Sequence, residues 1–368
     1  MRHLHRAVVA ATTGVALLAA PAAAATAPEE QHRVALQERL DEVVGAGAVG
    51  ALAEVRDERG RWRGTSGVAE LGSTRPVPVR GRFRAGSITK TFVATVVLQL
   101  VDEGRLRLGD AVARWLPGVV PDGRRITLRH LLNHTSGLHD VVETLPMPPQ
   151  QEFYDNRWRT WTAAELVSRA VEHPPTFRPP GSAFDYSSTG YLLLGQVVEE
   201  ATDRPWGREV ERRILRPLRL HGTSVPGASP RIRGPHPHGY VPGGDGLLDY
   251  TEMNPSVMGA GGEMISTTRD LDRFFAALLG GRLLPDHLLD QMQTQGVAGG
   301  RPYGLGLAWR DTSCGVRVYG NDGDALAYQS WSFTSADGER QATLALTPDF
   351  GGDPDDAVDA FLDEAFCG

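Results

Sequence analysis

The chain has 368 residues, of which 41% are hydrophobic and 23% charged, so it can bury a core and is not an intrinsically disordered protein. Its 38 basic and 45 acidic residues leave a net charge of −7, which argues against a nucleic-acid partner.

The N-terminus has the pattern of a secretory signal. Arg2 and Arg6 precede an apolar run over 7–20, and a stretch of small residues follows at 22–25. The alternative is a membrane anchor, but a spanning helix needs about 20 apolar residues and Pro21 closes this run. We therefore predict a signal peptide at 1–25, a mature domain at 26–368, a secreted protein and no stable membrane insertion.

The first part of the chain predicts a helix, two strands and a second helix. Apolar residues at near-helical spacing indicate a helix over 34–44. The segments 49–55 and 62–68 are typical of two strands joined by a polar turn. The strongest helical periodicity lies at 92–101, where the apolar positions cover a broad face.

The remaining elements define the fold class. Short helices are indicated at 163–171, 192–200 and 210–215, and no strand is predicted within 102–260. Strand-like runs then follow at 305–309, 316–319, 326–333 and 341–346, before a last helix at 357–366. We predict an α/β (α+β) fold in which an antiparallel sheet flanked by helices is built from both termini, about 30–100 and 260–368. A mainly helical subdomain is inserted at about 101–260.

The two cysteines are Cys314 and Cys367. An even count in an exported chain favours one disulfide, and the alternative is two buried free thiols.

Ser87 and Lys90 carry the clearest chemical signal. They lie three residues apart at the start of the predicted helix, so both side chains fall on one face. A desolvated lysine can take the proton of a serine hydroxyl, whereas arginine stays charged in proteins. Lys90 is the only lysine among the 38 basic residues, in a chain that otherwise uses arginine. We predict that Ser87 is a nucleophile and Lys90 its base; the alternative is that Ser87 only caps the helix.

Other segments of the sequence, together with Ser87 and Lys90, resemble those of a known family. Shared segments lie at 83–90 (FRAGSITK), 102–104 (DEG), 134–138 (HTSGL), 266–271 (STTRDL) and 303–307 (YGLGL). Over about 83–320 the chain resembles the penicillin-recognising serine hydrolases, which include class C β-lactamases, secreted D-alanyl-D-alanine carboxypeptidases and related esterases. The carboxypeptidase branch is the most similar. The resemblance implies a β-lactamase/transpeptidase-like fold and a serine hydrolase.

The second catalytic element of that family is Tyr-x-Asn, and this chain has Tyr186 and Ser188 at the matching positions. The resemblance implies that Tyr186 passes a proton between the serine and the leaving group, provided that nearby positive charge acidifies its phenol. Ser188 would bind substrate in place of the asparagine, from a shorter side chain.

The third family element, Lys or His followed by Thr-Gly, is replaced here. Asn321 and Asp322 precede Gly323, Asp324 follows it, and Ala308 stands where a carboxylate-binding arginine is expected. We predict that Asn321, Asp322 and Asp324 face the substrate. An aspartate about 5 Å from a substrate carboxylate repels it by roughly 3 kcal/mol at an effective dielectric near 20.

Two histidines suggest other sites. His134 could complete a Ser-His-Asp triad, but the chain has no Gly-x-Ser-x-Gly motif, and the resemblance makes this segment a structural turn. His130 and His134 are four residues apart, yet no further zinc ligands accompany them. No metal and no cofactor are expected.

Three functions remain open. The first is a serine acylase with altered, esterase-like or amidase-like specificity, in which the acidic residues attract a neutral or cationic group. The second is a D-alanyl-D-alanine carboxypeptidase that acts on cell-wall peptides. The third is a catalytically weakened binding protein with the same fold. In each case the partner is a small molecule or a peptide, and we expect a monomer.

Overall fold

The computed structural model describes residues 28–368. The predicted signal peptide lies outside the described residues. Within them, no helix is both long and apolar enough to cross a membrane.

Strands lie mainly near the two ends of the described chain, and most of the helices lie between them. Its first part contains α1 (Pro28–Gly47), β1 (Ala48–Asp57), β2 (Gly60–Gly67), β3 (Phe83–Arg84), α2 (Ile88–Asp102), α3 (Val112–Trp115), α4 (Leu128–Leu132), α5 (Gln151–Asp155), α6 (Ala163–Val171), α7 (Ser188–Thr202) and α8 (Trp206–Val210). The second part contains β4 (Tyr240–Gly243), β5 (Gly246–Asp249), β6 (Ile265–Ser266), α9 (Thr268–Leu279), α10 (Asp286–Met292), β7 (Ala308–Asp311), β8 (Arg317–Asp324), β9 (Gln329–Ser335), β10 (Gln341–Pro348) and α11 (Asp355–Cys367).

The main sheet joins the two ends of the chain. Its six strands are antiparallel in the order β2-β1-β10-β9-β8-β7, so the N-terminal hairpin pairs with the last strand. In this register Leu52 lies opposite Ala345. The predicted antiparallel sheet built from both termini is confirmed.

Helices cover both faces of this sheet. On one face α1 and α11 pack together over β1 and β10, with a core that includes Leu36, Leu344 and Phe361. On the other face α2 and α9 contact β8, β9 and β10. Phe92 of α2 stacks on Phe274 of α9, with ring centroids 3.6 Å apart. The broad apolar face predicted for α2 is therefore enclosed between the sheet and the middle helices.

One prediction about the middle of the chain was wrong. The sequence indicated no strand within 102–260, yet β4 and β5 form a two-stranded hairpin. Strands of four residues show little alternation, and such a ribbon is stable only when other elements hold it. Tyr154 supplies one such contact, because its hydroxyl donates to the carbonyl of Pro242 at 2.6 Å.

The predicted disulfide is confirmed. Cys314 lies in the turn between β7 and β8, and it is bonded to Cys367 at the end of α11. The bond closes a loop across 53 positions of sequence. Loop-closure entropy gives a stabilisation of roughly 4 kcal/mol for a loop of this length.

Candidate active site

A tight turn presents Ser87 at the start of α2. Gly86 has a φ of +51°, a left-handed conformation that glycine adopts at little cost, and it turns the chain from β3 into the helix. Ser87 occupies the N-cap position, but its side chain makes no capping hydrogen bond. The alternative that Ser87 only caps the helix is therefore wrong, and the hydroxyl is available for chemistry.

Lys90 lies one turn further along α2 and contacts Ser87 directly. Its Nζ donates to Ser87 Oγ at 3.0 Å and to the carbonyl oxygen of Gly261 at 2.7 Å. The side chain is almost fully buried, and burial lowers the pKa of Lys90 to about 8. About a tenth of the amine is thus uncharged at pH 7 and can accept a proton, and this fraction increases with pH.

This pKa predicts how the reaction depends on pH. Only uncharged Lys90 can accept the serine proton, so the rate of acylation of Ser87 should increase with pH and level off above about pH 8. We expect a single ionisation in the pH profile of kcat/KM for a neutral ester. A rate that is constant between pH 6 and 9 would contradict Lys90 as the base.

Tyr186 is the third member of this cluster. Its ring centroid lies 4.9 Å from Lys90 Nζ, just before α7 begins. Burial raises the pKa of the Tyr186 phenol, and the opposing effect of the Ser87 hydroxyl is smaller. The acidified phenol anticipated from the sequence is therefore not found, because burial outweighs the nearby positive charge. Tyr186 stays protonated at neutral pH, a state suited to donating a proton.

The two histidines have structural contacts. His134 Nδ1 accepts a hydrogen bond from the backbone N–H of Ser187 at 3.1 Å, and its ring packs against Tyr186. Burial lowers the pKa of His134 well below its usual value, so the ring is neutral. His130 Nδ1 accepts from the backbone N–H of Thr127 at the start of α4. Within residues 28–368 no group of three or more His, Cys, Asp or Glu side chains could hold a metal ion.

The end of β8 packs tightly against the turn that carries the nucleophile. A Cβ on Gly323 would lie 2.0 Å from the carbonyl oxygen of Ala85, and a Cβ on Gly86 would lie 2.7 Å from the backbone nitrogen of Asp324. Only glycine allows this approach. The backbone N–H groups of Ser87 and Asp324, the donors that we predict for an oxyanion hole, thus belong to touching segments.

The three polar residues of the altered third element, Asn321, Asp322 and Asp324, lie in different surroundings. Asn321 is buried, and its amide donates to Thr91 Oγ1 at 3.2 Å. Asp322 accepts a hydrogen bond from the guanidinium of Arg301. Asp324 lines the cleft beside Ser87. The repulsion predicted between Asp322 and a substrate carboxylate is therefore weakened, because the guanidinium of Arg301 compensates the charge of Asp322.

A cleft of about 340 Å³ opens onto the cluster. Ser87, Lys90, Tyr186, Ser188 and Asp324 all line it, whereas Asn321 and Asp322 are not among its lining residues. Most of its wall is apolar or aromatic and includes Leu145, Met147, Phe153, Trp161, Tyr250, Met253, Met258 and Leu326. The cleft can therefore enclose a large apolar group next to the predicted nucleophile.

Comparison with known proteins places this arrangement in a family. Residues 35–365 match the family described as Beta-lactamase. The chain belongs to the β-lactamase family. It is 31% identical to penicillin-binding protein 4 of Amycolatopsis lactamdurans over 281 residues, which are 70% of each chain. Three other curated relatives are matched over only 34 to 53% of their length.

Two solved structures of this family are similar over nearly their whole length. A D-stereospecific amidohydrolase from Streptomyces sp. is 40% identical, with a TM-score of 0.82 and coverage of 91% of this chain and 99% of that one. A D-amino acid amidase from Ochrobactrum anthropi SV3, complexed with L-phenylalanine amide, is 28% identical, with a TM-score of 0.79 and coverage of 91% and 98%. The expected β-lactamase-like fold and the assignment to the serine hydrolases of this family are confirmed.

The candidate site also contains a carboxylate that was not predicted from the sequence. Asp140 lines the cleft, and its Oδ1 accepts from the backbone N–H groups of Ser188 at 3.0 Å and Val142 at 3.2 Å. Its charge raises the pKa of Lys90, although burial has the larger, opposite effect. Burial also raises the pKa of Asp140 itself. The only signal in the sequence was an aspartate shortly after the 134–138 segment.

Three further groups were not identified from the sequence. The carbonyl of Gly261 holds Lys90, and a backbone group has no side-chain signature. Arg157 also lines the cleft, and its guanidinium carbon lies 4.7 Å from the ring centroid of Tyr250. Arg301, in the segment between α10 and β7, pairs with Asp322. Neither arginine differs in local sequence from the many others in the chain.

Proposed function

We propose that this protein is an exported serine amidase and esterase that forms an acyl-enzyme on Ser87. Its substrates would be amides and esters of D-amino acids that carry a large apolar side chain and lack a free carboxylate beside the reacting bond. The observation that carries the proposal is the apolar cleft at Ser87, which has carboxylates of Asp140 and Asp324 on its wall.

The mechanism follows from the contacts of Ser87. Uncharged Lys90 removes the proton from Ser87 Oγ as the oxygen attacks the carbonyl carbon of the substrate. Backbone N–H groups of Ser87 and Asp324 stabilise the oxyanion. Tyr186 gives its proton to the leaving amine or alcohol and regains one from Lys90. Water then cleaves the ester bond to Ser87 by the same proton transfers, which releases the acid and restores the hydroxyl.

The charges of the cleft favour a substrate with a free amine. Burial raises the pKa of both Asp140 and Asp324 despite the backbone hydrogen bonds that each carboxylate accepts, so a nearby positive charge would stabilise their ionised forms. A substrate ammonium group would supply such a partner. The solved amidohydrolase and D-amino acid amidase, which this chain resembles over nearly their whole length, support the amide bond and the D configuration.

Export is part of the same proposal. The signal peptide predicted at 1–25 and the disulfide between Cys314 and Cys367 both suit an extracellular protein. The expected monomer stays a prediction.

Steady-state kinetics with matched substrates test the specificity. We expect kcat/KM for D-phenylalanine amide to exceed that for L-phenylalanine amide, and to exceed that for an acyl-D-alanyl-D-alanine free acid about 100-fold. N-acetyl-D-phenylalanine amide, which lacks the positive charge, should lose much of this advantage. Asp324→Asn should lower the ratio of kcat/KM for D-phenylalanine amide to that for N-acetyl-D-phenylalanine amide, because the charge of Asp324 acts only on the free amine.

The alternatives predict other results. A preference for the acyl-D-alanyl-D-alanine free acid would identify a carboxypeptidase. Saturable binding of these ligands with no turnover, and with no covalent adduct on Ser87, would identify a binding protein. Either result would overturn the proposal.

A further inference from the structure

The pair formed by Arg301 and Asp322 lies close in the chain to Asp324, a residue of the cleft wall. Asp322 lies near the end of β8, two residues before Asp324, so the two aspartates point to the same side of the strand. Arg301 reaches it from the segment between α10 and β7, and its Nη2 donates to Asp322 Oδ1. Both side chains are partly exposed, Arg301 to 42% and Asp322 to 39%. A solute entering beside β8 can therefore meet this pair.

The pair is within electrostatic reach of the catalytic groups. The charge of Asp322 raises the pKa of Lys90, and the charge of Arg301 lowers it. The same two charges act with the same opposite signs on the pKa of Tyr186. Because the two effects oppose each other, the intact pair changes the field at Ser87 less than either charge would alone.

Arg301 is a cation beside β8 that could bind a carboxylate. Ala308, the position that sequence comparison suggested for such an arginine, is buried and pairs with Gly320 inside the sheet. A guanidinium binds a carboxylate through two parallel hydrogen bonds, and a protein carboxylate can occupy the same donors. Asp322 Oδ1 accepts a hydrogen bond from Arg301 Nη2 and so occupies one of the donors that a substrate carboxylate would need.

We propose that Asp322 masks Arg301 and that this internal ion pair excludes substrates with a free carboxylate on the leaving-group side of Ser87. This inference rests on the proposed hydrolase function and adds two specificity-determining residues to it. Removing the charge of Asp322 frees the guanidinium, which then recognises the terminal carboxylate of a peptide. When the charges of both Asp322 and Arg301 are removed, no guanidinium is left there to bind that carboxylate.

The test compares D-phenylalanyl-D-alanine with its C-terminal amide. We expect Asp322→Asn to raise the ratio of kcat/KM for the free acid to that for the amide by about 10- to 100-fold, the range for a hydrogen bond to a charged group. Adding Arg301→Gln should return the ratio to that of the wild type. Asp322→Thr provides a second unmasking variant, and thermal melting verifies that each variant is folded.

A neighbouring ion pair supplies the control. Asp359 pairs with Arg310 at 2.6 Å and lines the same groove as Asp322, but it does not pair with Arg301. Asp359→Asn should leave the ratio unchanged. An unchanged ratio in both folded Asp322 variants, or a gain that persists when Arg301 is also replaced, would refute the masking.

A binding experiment separates this inference from the proposed function. In a Ser87→Ala background, calorimetry measures the affinity for D-phenylalanyl-D-alanine without turnover. Tighter binding after Asp322→Asn that disappears with Arg301→Gln supports the masking even if the wild type hydrolyses no amide. Hydrolysis of D-phenylalanine amide by the wild type, with no change in binding between these variants, would support the function and refute the masking.

Discussion

Ser87→Ala is expected to abolish covalent labelling and to reduce kcat/KM by at least about 10³-fold. Ser87 Oγ lies 3.0 Å from a buried amine and makes no capping hydrogen bond, so its removal takes away the nucleophile. A fluorophosphonate or an activated ester should add one covalent mass to the wild type, measured by intact mass spectrometry. Because the side chain makes no capping contact, the variant should melt close to the wild-type temperature.

Ser182→Ala provides the matched control. Ser182 is exposed and its hydroxyl donates to the carbonyl of Pro179, so this variant should be labelled like the wild type. An adduct that persists on Ser87→Ala, or a wild type that reacts with none of these reagents, would contradict the assignment of the nucleophile.

Replacement of Lys90 is expected to slow acylation by about 10²- to 10⁴-fold, the usual contribution of a general base. Lys90→Met keeps most of the volume but cannot accept a proton. It also removes a buried amine, so its melting temperature should equal or exceed that of the wild type. Lys90→Arg keeps the charge but cannot act as a base, and the larger side chain should lower stability by about 1–3 kcal/mol in this packed site.

The comparison of the two Lys90 variants separates charge from proton transfer. If positive charge near Ser87 were sufficient, Lys90→Arg would acylate much faster than Lys90→Met. We expect both to be similarly slow, measured as the rate of adduct formation at pH 8. Acylation of Lys90→Met at the wild-type rate would mean that another group is the base.

Local patterns in the sequence were enough to predict that the side chains of Ser87 and Lys90 lie side by side. Ser87 and Lys90 are three residues apart, and helix geometry alone brings such residues together. The sheet built from both termini could also be predicted, because strand-like and helical periodicities are properties of short segments. The disulfide could be predicted from an even number of cysteines in a chain with a predicted export signal.

The parts that were missed depend on distant contacts. The carbonyl of Gly261 holds Lys90 from 171 positions further along the chain. The hairpin of β4 and β5 is held by Tyr154, which lies far from it in sequence. Neither a backbone carbonyl nor a four-residue strand has a periodicity that a sequence can reveal.

The sequence by itself determined the family, the order of the main elements and the candidate residues for acyl transfer. The tertiary structure decided the ionisation and the specificity of the site. Burial lowers the pKa of Lys90 and raises that of Tyr186, so the roles proposed for them as base and acid depend on how little water reaches them. Likewise, the sequence alone predicts that Asp322 repels a substrate carboxylate. Folding brings Arg301 beside Asp322, and the two form an ion pair. The pKa shifts depend on the low dielectric constant of the protein interior, and the ion pair depends on contact between residues that are separated in sequence. Both conditions exist only after the chain has folded.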